Sequence, residues 1–187
     1  MAKYLPDSTY DLALAQIENA DEEAVCSVEP SSYYQACWPS MWVATTAYSV
    51  GDIVRPPTDN DFVYECTVGG TSGGSEPAWE TTQDNTFSDN DITWKAHENY
   101  SLAYTTLAGG DKTIQAKGGG GREIVFAEKT GITSHRSGTV THTAFMTSST
   151  KAIEMITTAS TTTVGDNDIV SGRTTIFQSV TAGISIA

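Results

Sequence analysis

Positive charge is scarce in this chain: ten Lys and Arg stand against 23 Asp and Glu, a formal net charge of −13. A surface of that sign repels phosphate backbones and anionic headgroups, so neither nucleic acid nor membrane is an expected partner. Long apolar runs are also missing, and none reaches the ~20 residues that a membrane-spanning helix needs. The start, MAKYLPDSTY, has no apolar core of a secretion signal, which makes synthesis in a cytoplasm the expectation. Cysteine is rare: Cys26, Cys37 and Cys66 are odd in number and lack C-x-x-C spacing, which argues against a zinc site or a disulfide framework. They read as small buried apolar residues, with a Cys26–Cys37 bridge as the alternative under oxidising conditions.

What the chain does have is Thr, Ser, Gly and Val, with only 18% charged residues, a composition that favours ordered sheets joined by many turns. Its 187 residues fit one ordinary domain, or one domain with a small module. The acidity is uneven. Residues 1–38 hold one base and seven acids, residues 39–98 two bases and ten acids, and residues 99–187 seven bases and six acids. Most acid side chains are read as a solvated face that keeps the protein soluble.

Asp7 or Ser8 can cap a short helix in which Tyr10, Ala13, Leu14 and Ile17 recur at helical spacing, up to the acidic stretch Asp21-Glu22-Glu23. A strand is expected over 24–28, stopped by Glu29-Pro30. From 39 to 98 the composition changes: Trp42, Trp79 and Trp94 lie here, with most of the prolines and the acidic turns at 59–61 and 89–91. Short strands at 52–55, 62–67 and 92–95 make this a self-contained β module. Beyond Asn99, alternating segments at 112–116, 123–127, 138–147, 152–158 and 174–179, separated by Gly, Ser and Asn turns, predict a β-sandwich or barrel. Residues 182–187 could close a sheet or exchange with a neighbouring subunit. The expected fold is therefore mainly β, with a short N-terminal helix and a small inserted all-β domain.

No motif argues for catalysis. The Gly118 to Gly121 run before Arg122 lacks the Lys-Ser/Thr ending of a phosphate loop and reads as a hairpin. Ser134, His135 and His142 with Asp111 or Asp166 could be combined into a triad, yet no nucleophile turn marks them. Asp84, Asp89, Asn90 and Asp91 miss the spacing of a calcium loop and read as turn residues. No enzyme, cofactor or metal is expected.

The most specific stretch is Trp42, Thr46-Ala47-Tyr48-Ser49-Val50-Gly51-Asp52-Ile53-Val54, Val63-Tyr64-Glu65-Cys66, Glu76-Pro77-Ala78-Trp79 and Thr93-Trp94. It resembles the chitin-binding-like carbohydrate-binding modules, which share the order Trp, Tyr-x-x-Gly-Asp-x-Val, aromatic strand, Pro-x-x-Trp, and it covers about a third of the chain. The resemblance implies a small β module at 39–98 and makes Trp42, Tyr48, Tyr64, Trp79 and Trp94 candidates for stacking on the C–H faces of a sugar. The bland alternative gives at least half of the five to the core, because so small a fold needs its aromatics for packing. Where chitin-binding members continue with exposed aromatics, this chain has Thr67-Val68-Gly69-Gly70.

The flanking parts, an N-terminal helix, Val25-Cys26-Ser27-Val28-Glu29-Pro30-Ser31, the turn before Arg122-Glu123-Ile124, and Ser137-Gly138-Thr139-Val140-Thr141-His142-Thr143-Ala144, resemble a group of small bacteriophage structural proteins. That likeness implies a discontinuous β docking domain, 1–38 with 99–187, interrupted by the module. It further implies a non-enzymatic decoration or cement protein on the capsid exterior, bound to the major capsid protein or another virion protein. A trimer would suit a local symmetry axis. The alternative is a tail-fibre or tail-tip adhesion protein whose module reads a host-surface glycan.

Overall fold

The structure, a computed structural model, describes residues 7–117, 122–170 and 175–178. The fold is mainly β with one short helix, and the sheets of the described residues are open rather than closed into a barrel. The chain divides into two compact units: a host unit, Met1–Glu29 with Leu102–Ala187, and an inserted unit, Pro30–Ser101. Residues 30–38, grouped with the docking domain on sequence, lie within the inserted unit. A 3-10 turn at Tyr33–Gln35 begins it, and Asn99 Nδ2 donates to the Tyr34 and Cys37 carbonyls at 2.8 and 2.7 Å, tying its two ends together. All three cysteines are buried and free.

The host unit begins with α1 (Asp7–Glu18). Leu14 and Ile17 are buried from it, whereas Leu12 is 76% exposed, as a one-sided helix requires. The side chains of Tyr10 and Ala13 lie outside the described residues. The helix stops at Glu18, where Lys112 Nζ donates to the carbonyls of Glu18 and Ala20, placing a cation on the negative end of the helix dipole. The strand that follows, β1 (Glu22–Cys26), starts two residues earlier than expected. Glu22 and Glu23 are buried strand residues rather than a solvated end to the helix, and Val28 is half exposed beyond the strand. Partners explain the difference: Tyr104 Oη donates to Glu22 Oε1 at 2.5 Å, and Asp21 accepts from both the amide and the hydroxyl of Ser148.

The inserted unit carries β2 (Ala47–Tyr48), β3 (Ile53–Val54), β4 (Phe62–Val68), β5 (Gly70–Thr71), β6 (Thr86–Asp89) and β7 (Ile92–Glu98). Its main sheet runs β3-β4-β7-β6, all antiparallel, and β2 pairs with β5 in a separate ribbon. The β4–β7 pairing slips between Cys66 and Val68, a bulge that ends the long strand before the glycine loop.

The chain then completes the host unit with β8 (Ser101–Thr106), β9 (Lys112–Ala116), β10 (Arg122–Phe126), β11 (Ile132–Thr133), β12 (Gly138–Thr147), β13 (Ala152–Val164), β14 (Ile169–Val170) and β15 (Thr175–Gln178). One sheet runs β13-β12-β1-β8 and a second β15-β10-β9, with β11 paired to β14. The strands flanking the Gly118 to Gly121 run form a hairpin, Arg122 facing Ala116, while the run itself lies outside the described residues, as does 182–187. Leu14, Ile17, Leu107, Ile124, Phe126, Phe145 and Met155 form the main core, with Phe126 and Phe145 ring centroids 4.1 Å apart. Among the described residues no helix is long and apolar enough to cross a membrane.

Candidate functional site

The five aromatics of the inserted unit separate by burial. Tyr64 and Trp94 are fully buried and Trp42 is 7% exposed; with Val54, Cys66, Ile92 and Ala96 they form the unit's core. Tyr48 and Trp79 are half-buried against that core.

Each of these rings is fixed by its polar edge as well as by packing. The Tyr64 hydroxyl donates to the Glu80 carbonyl at 2.8 Å and accepts from Asn60 Nδ2 at 2.7 Å, and burial pushes its pKa up to about 12. Tyr48 packs edge-on against Trp94 at 5.1 Å, and its hydroxyl is engaged by the amide and carbonyl of Val43. Trp79 lies tilted over Tyr64 at 4.5 Å, with edge contacts to Trp42 and Phe87, and donates its indole N–H to Glu76 Oε1 at 2.6 Å. Trp79 thus roofs the core from the Glu-Pro-Ala-Trp loop.

Asp89 is the residue that sequence reasoning mistook. Its place in an acidic turn suggested Asx chemistry; instead it ends β6 with 5% exposure. Asp89 Oδ2 accepts from the indole N–H of Trp42 at 2.9 Å and of Trp94 at 3.2 Å, and Oδ1 accepts from the Gly73 amide at 2.8 Å. One carboxylate therefore satisfies two buried indoles and a loop amide. The glycine loop is shaped to reach it: a Cβ on Gly73 would stand 2.9 Å from Asp89 Oδ1, and a Cβ on Gly70 2.7–3.0 Å from Asp91. Asn90 supplies the turn with φ of 53°, and its Nδ2 donates to Thr71 O at 3.0 Å. The loop is thus part of the fold's frame, and the spacing of Gly73 and Asp89 across 16 residues gave no local signal.

A second cluster in the same unit stacks Tyr34 on His97, ring centroids 4.0 Å apart and planes 7° from parallel, with His97 Nε2 3.2 Å from Glu65 Oε2. Desolvation holds the imidazole below its usual pKa against the pull of Glu65.

The residues once combined into a triad are occupied separately within the host unit. Ser134 Oγ donates to Gly165 O at 2.6 Å, Asp111 pairs with Lys129 at 2.5 Å, and His142 Nδ1 lies 2.9 Å from Thr141 Oγ1. Among the described residues no three His, Cys, Asp or Glu side chains gather as a metal cluster. No family model, curated protein or solved structure matches the chain.

Proposed function

We propose that the chain is a bacteriophage virion structural protein, without enzymatic activity, that decorates the capsid exterior and displays its inserted unit to read a host-surface glycan. The observation that carries this reading is the division of the chain: a two-segment β host is interrupted by a self-contained unit that carries the larger net negative charge on fewer residues, because it has few bases. Residues 30–101 hold two bases and ten acids, a net −8, whereas the longer remainder holds eight bases and 13 acids, a net −5. Two of the host's acids, Glu22 and Glu23, are buried, which lowers the negative charge it presents. A docking face must be desolvated, and a displayed face need not be. The host unit therefore docks on the shell through the major capsid protein and on sister copies, and the acidic unit faces solvent.

The test is cryo-electron microscopy of particles containing the chain, with recombinant protein added back to shells that lack it. Density at regular lattice positions and saturable add-back are expected. Density confined to tail tips or fibres would replace decoration with adhesion, and fractionation away from particles would end both readings.

A further inference from the structure

With Trp42, Tyr64 and Trp94 buried, the inserted unit has a further exposed surface that suits a sugar. One short ribbon offers it. Arg55 N donates to Ser40 O at 3.0 Å and Trp42 N donates to Arg55 O at 2.8 Å, so residues 40–42 run beside 55, with Met41 and Arg55 as bridge partners. Alternation sends Trp42 and Val54 into the core and leaves Met41 (48% exposed), Val43 (56% exposed) and the half-buried Arg55 on the outside. The Arg55 guanidinium lies over the half-buried Trp38 ring, 4.6 Å from its centroid.

Arg55 is also electrostatically singular. Arg55 and Lys95 are the only Lys or Arg in residues 30–101, and Lys95 is held by Asp84 at 2.7 Å. Among the described residues no carboxylate lies within ion-pair distance of Arg55; its Nε is buried without a hydrogen-bond partner, which leaves the two terminal nitrogens to meet a ligand. Asp59 acts on it only through space. A guanidinium clamped on an indole is already oriented, so it loses little freedom when its fork takes a carboxylate in two parallel hydrogen bonds. The neighbouring Met41 and Val43 suit the C–H face or a methyl substituent of the same ligand.

We propose that Trp38, Met41, Val43 and Arg55 form a binding site for a carboxylate-bearing sugar, the class that includes sialic and uronic acids. This inference rests on the reading of the inserted unit as a glycan reader. The unit's net charge of −8 sets its selectivity: it opposes any anion that does not reach the guanidinium, so one localised carboxylate is accepted where a polyphosphate is not.

The experiment is titration calorimetry of the full chain with a sialyl oligosaccharide and an oligouronate, each beside its neutral counterpart. At least one acidic probe should bind about tenfold or more tightly than its neutral counterpart, a preference that Arg55→Gln abolishes and Arg55→Lys only partly restores. Met41→Ser should weaken acidic and neutral probes alike, and near-ultraviolet dichroism of the tryptophans checks that each variant is folded. Equal binding of acidic and neutral probes, wild-type binding by Arg55→Gln, or no binding of either acidic probe would overturn the site. Binding of a neutral oligosaccharide alone would move the glycan site elsewhere and leave the wider reading standing. Particle localisation tests virion attachment separately.

Discussion

The inserted unit buries Trp42 and Trp94 on the carboxylate of Asp89, with Tyr64 in the same core, whereas the host unit buries Leu14, Ile17, Ile124, Phe126 and Phe145 between a helix and long strand ladders. Strand length separates them further. β12 and β13 run ten and 13 residues, while no strand of the inserted unit exceeds seven and two of its ladders are only two residues long. A small fold with short ladders must gain its order from a few large rings held in one geometry, and a polar anchor supplies the geometry. A larger fold spreads the same task over many aliphatic contacts and backbone pairs. Loss of one residue should therefore hurt the inserted unit more.

The hardest test of that contrast is Trp94→Ala. Removing a fully buried indole should cost about 4 kcal/mol, enough to unfold a domain of this size. Limited proteolysis with mass spectrometry should then show cleavage within 30–101 while the β12–β13 hairpin keeps its amide-exchange protection. Loss of protection in both places would break the comparison, because the units would then be one cooperative body. Asp89→Ala should cost about 3 kcal/mol by stranding two indole N–H groups and the Gly73 amide, and Asp89→Asn, which keeps an acceptor, about 1 kcal/mol. Denaturant unfolding monitored by tryptophan fluorescence separates the two. Equal losses would show that the two indoles and the Gly73 amide need both carboxylate oxygens, so that a single amide oxygen is no substitute.

The host unit has its own buried polar liability, of opposite sign. Burial drives the Glu23 pKa up to about 7, with Lys129 pulling it down and Asp111 pushing it up. A carboxyl whose folded pKa is raised binds its proton more tightly in the native state. Its contribution to stability is complete below the unfolded value of about 4.5, is lost as pH rises to 7, and levels off above. Glu23→Gln should flatten that fall and stabilise the host unit by about 3 kcal/mol at pH 8, with little effect at pH 4. Denaturant midpoints across this range, read from host-unit amide exchange, are the measurement. An unchanged pH slope in the variant would place the burden on other groups.

Legibility from sequence follows the same division. The alternating strands of the host were readable because side chains switch faces every residue: 112–116 and 138–147 coincide with β9 and β12. The start of β1 was not, because Glu22 and Glu23 look solvated until Tyr104 and the sheet close over them. β13 extends six residues past the expected end at 158, into Thr-rich sequence that carries little apolar signal. In the inserted unit β6 was missed, since Thr86-Phe87-Ser88-Asp89 offers one apolar side chain and its decisive residue is the acid. The aromatic candidates were visible as a set, but which ring is core and which is roof depends on the position of Asp89, which no local pattern encodes. The Trp38–Arg55 stack escaped for the same reason: the pair joins a residue ahead of the expected module boundary to one 17 positions on.

Trp79 gives the smallest effect and the finest discrimination between core and roof. It touches Trp42, Tyr64 and Phe87 yet stays half-buried, and its N–H is satisfied by the exposed Glu76 rather than by Asp89. Removing such a ring forfeits part of an aromatic contact set without opening a sealed cavity, so Trp79→Ala should cost about 1–2 kcal/mol and leave the unit folded. Glu76→Gln, which keeps an oxygen acceptor for the indole, should cost less than 1 kcal/mol. Because Trp79 packs on Trp42, whose ring lies on the face of the ribbon opposite to Arg55, Trp79→Ala should leave the preference for acidic over neutral sugar intact in calorimetry. If it abolished sugar binding in a unit that still melts cooperatively, the roof itself would be the stacking platform. The inserted unit would then use its aromatic cluster for recognition as well as for folding, and the contrast with the host would extend from stability to function.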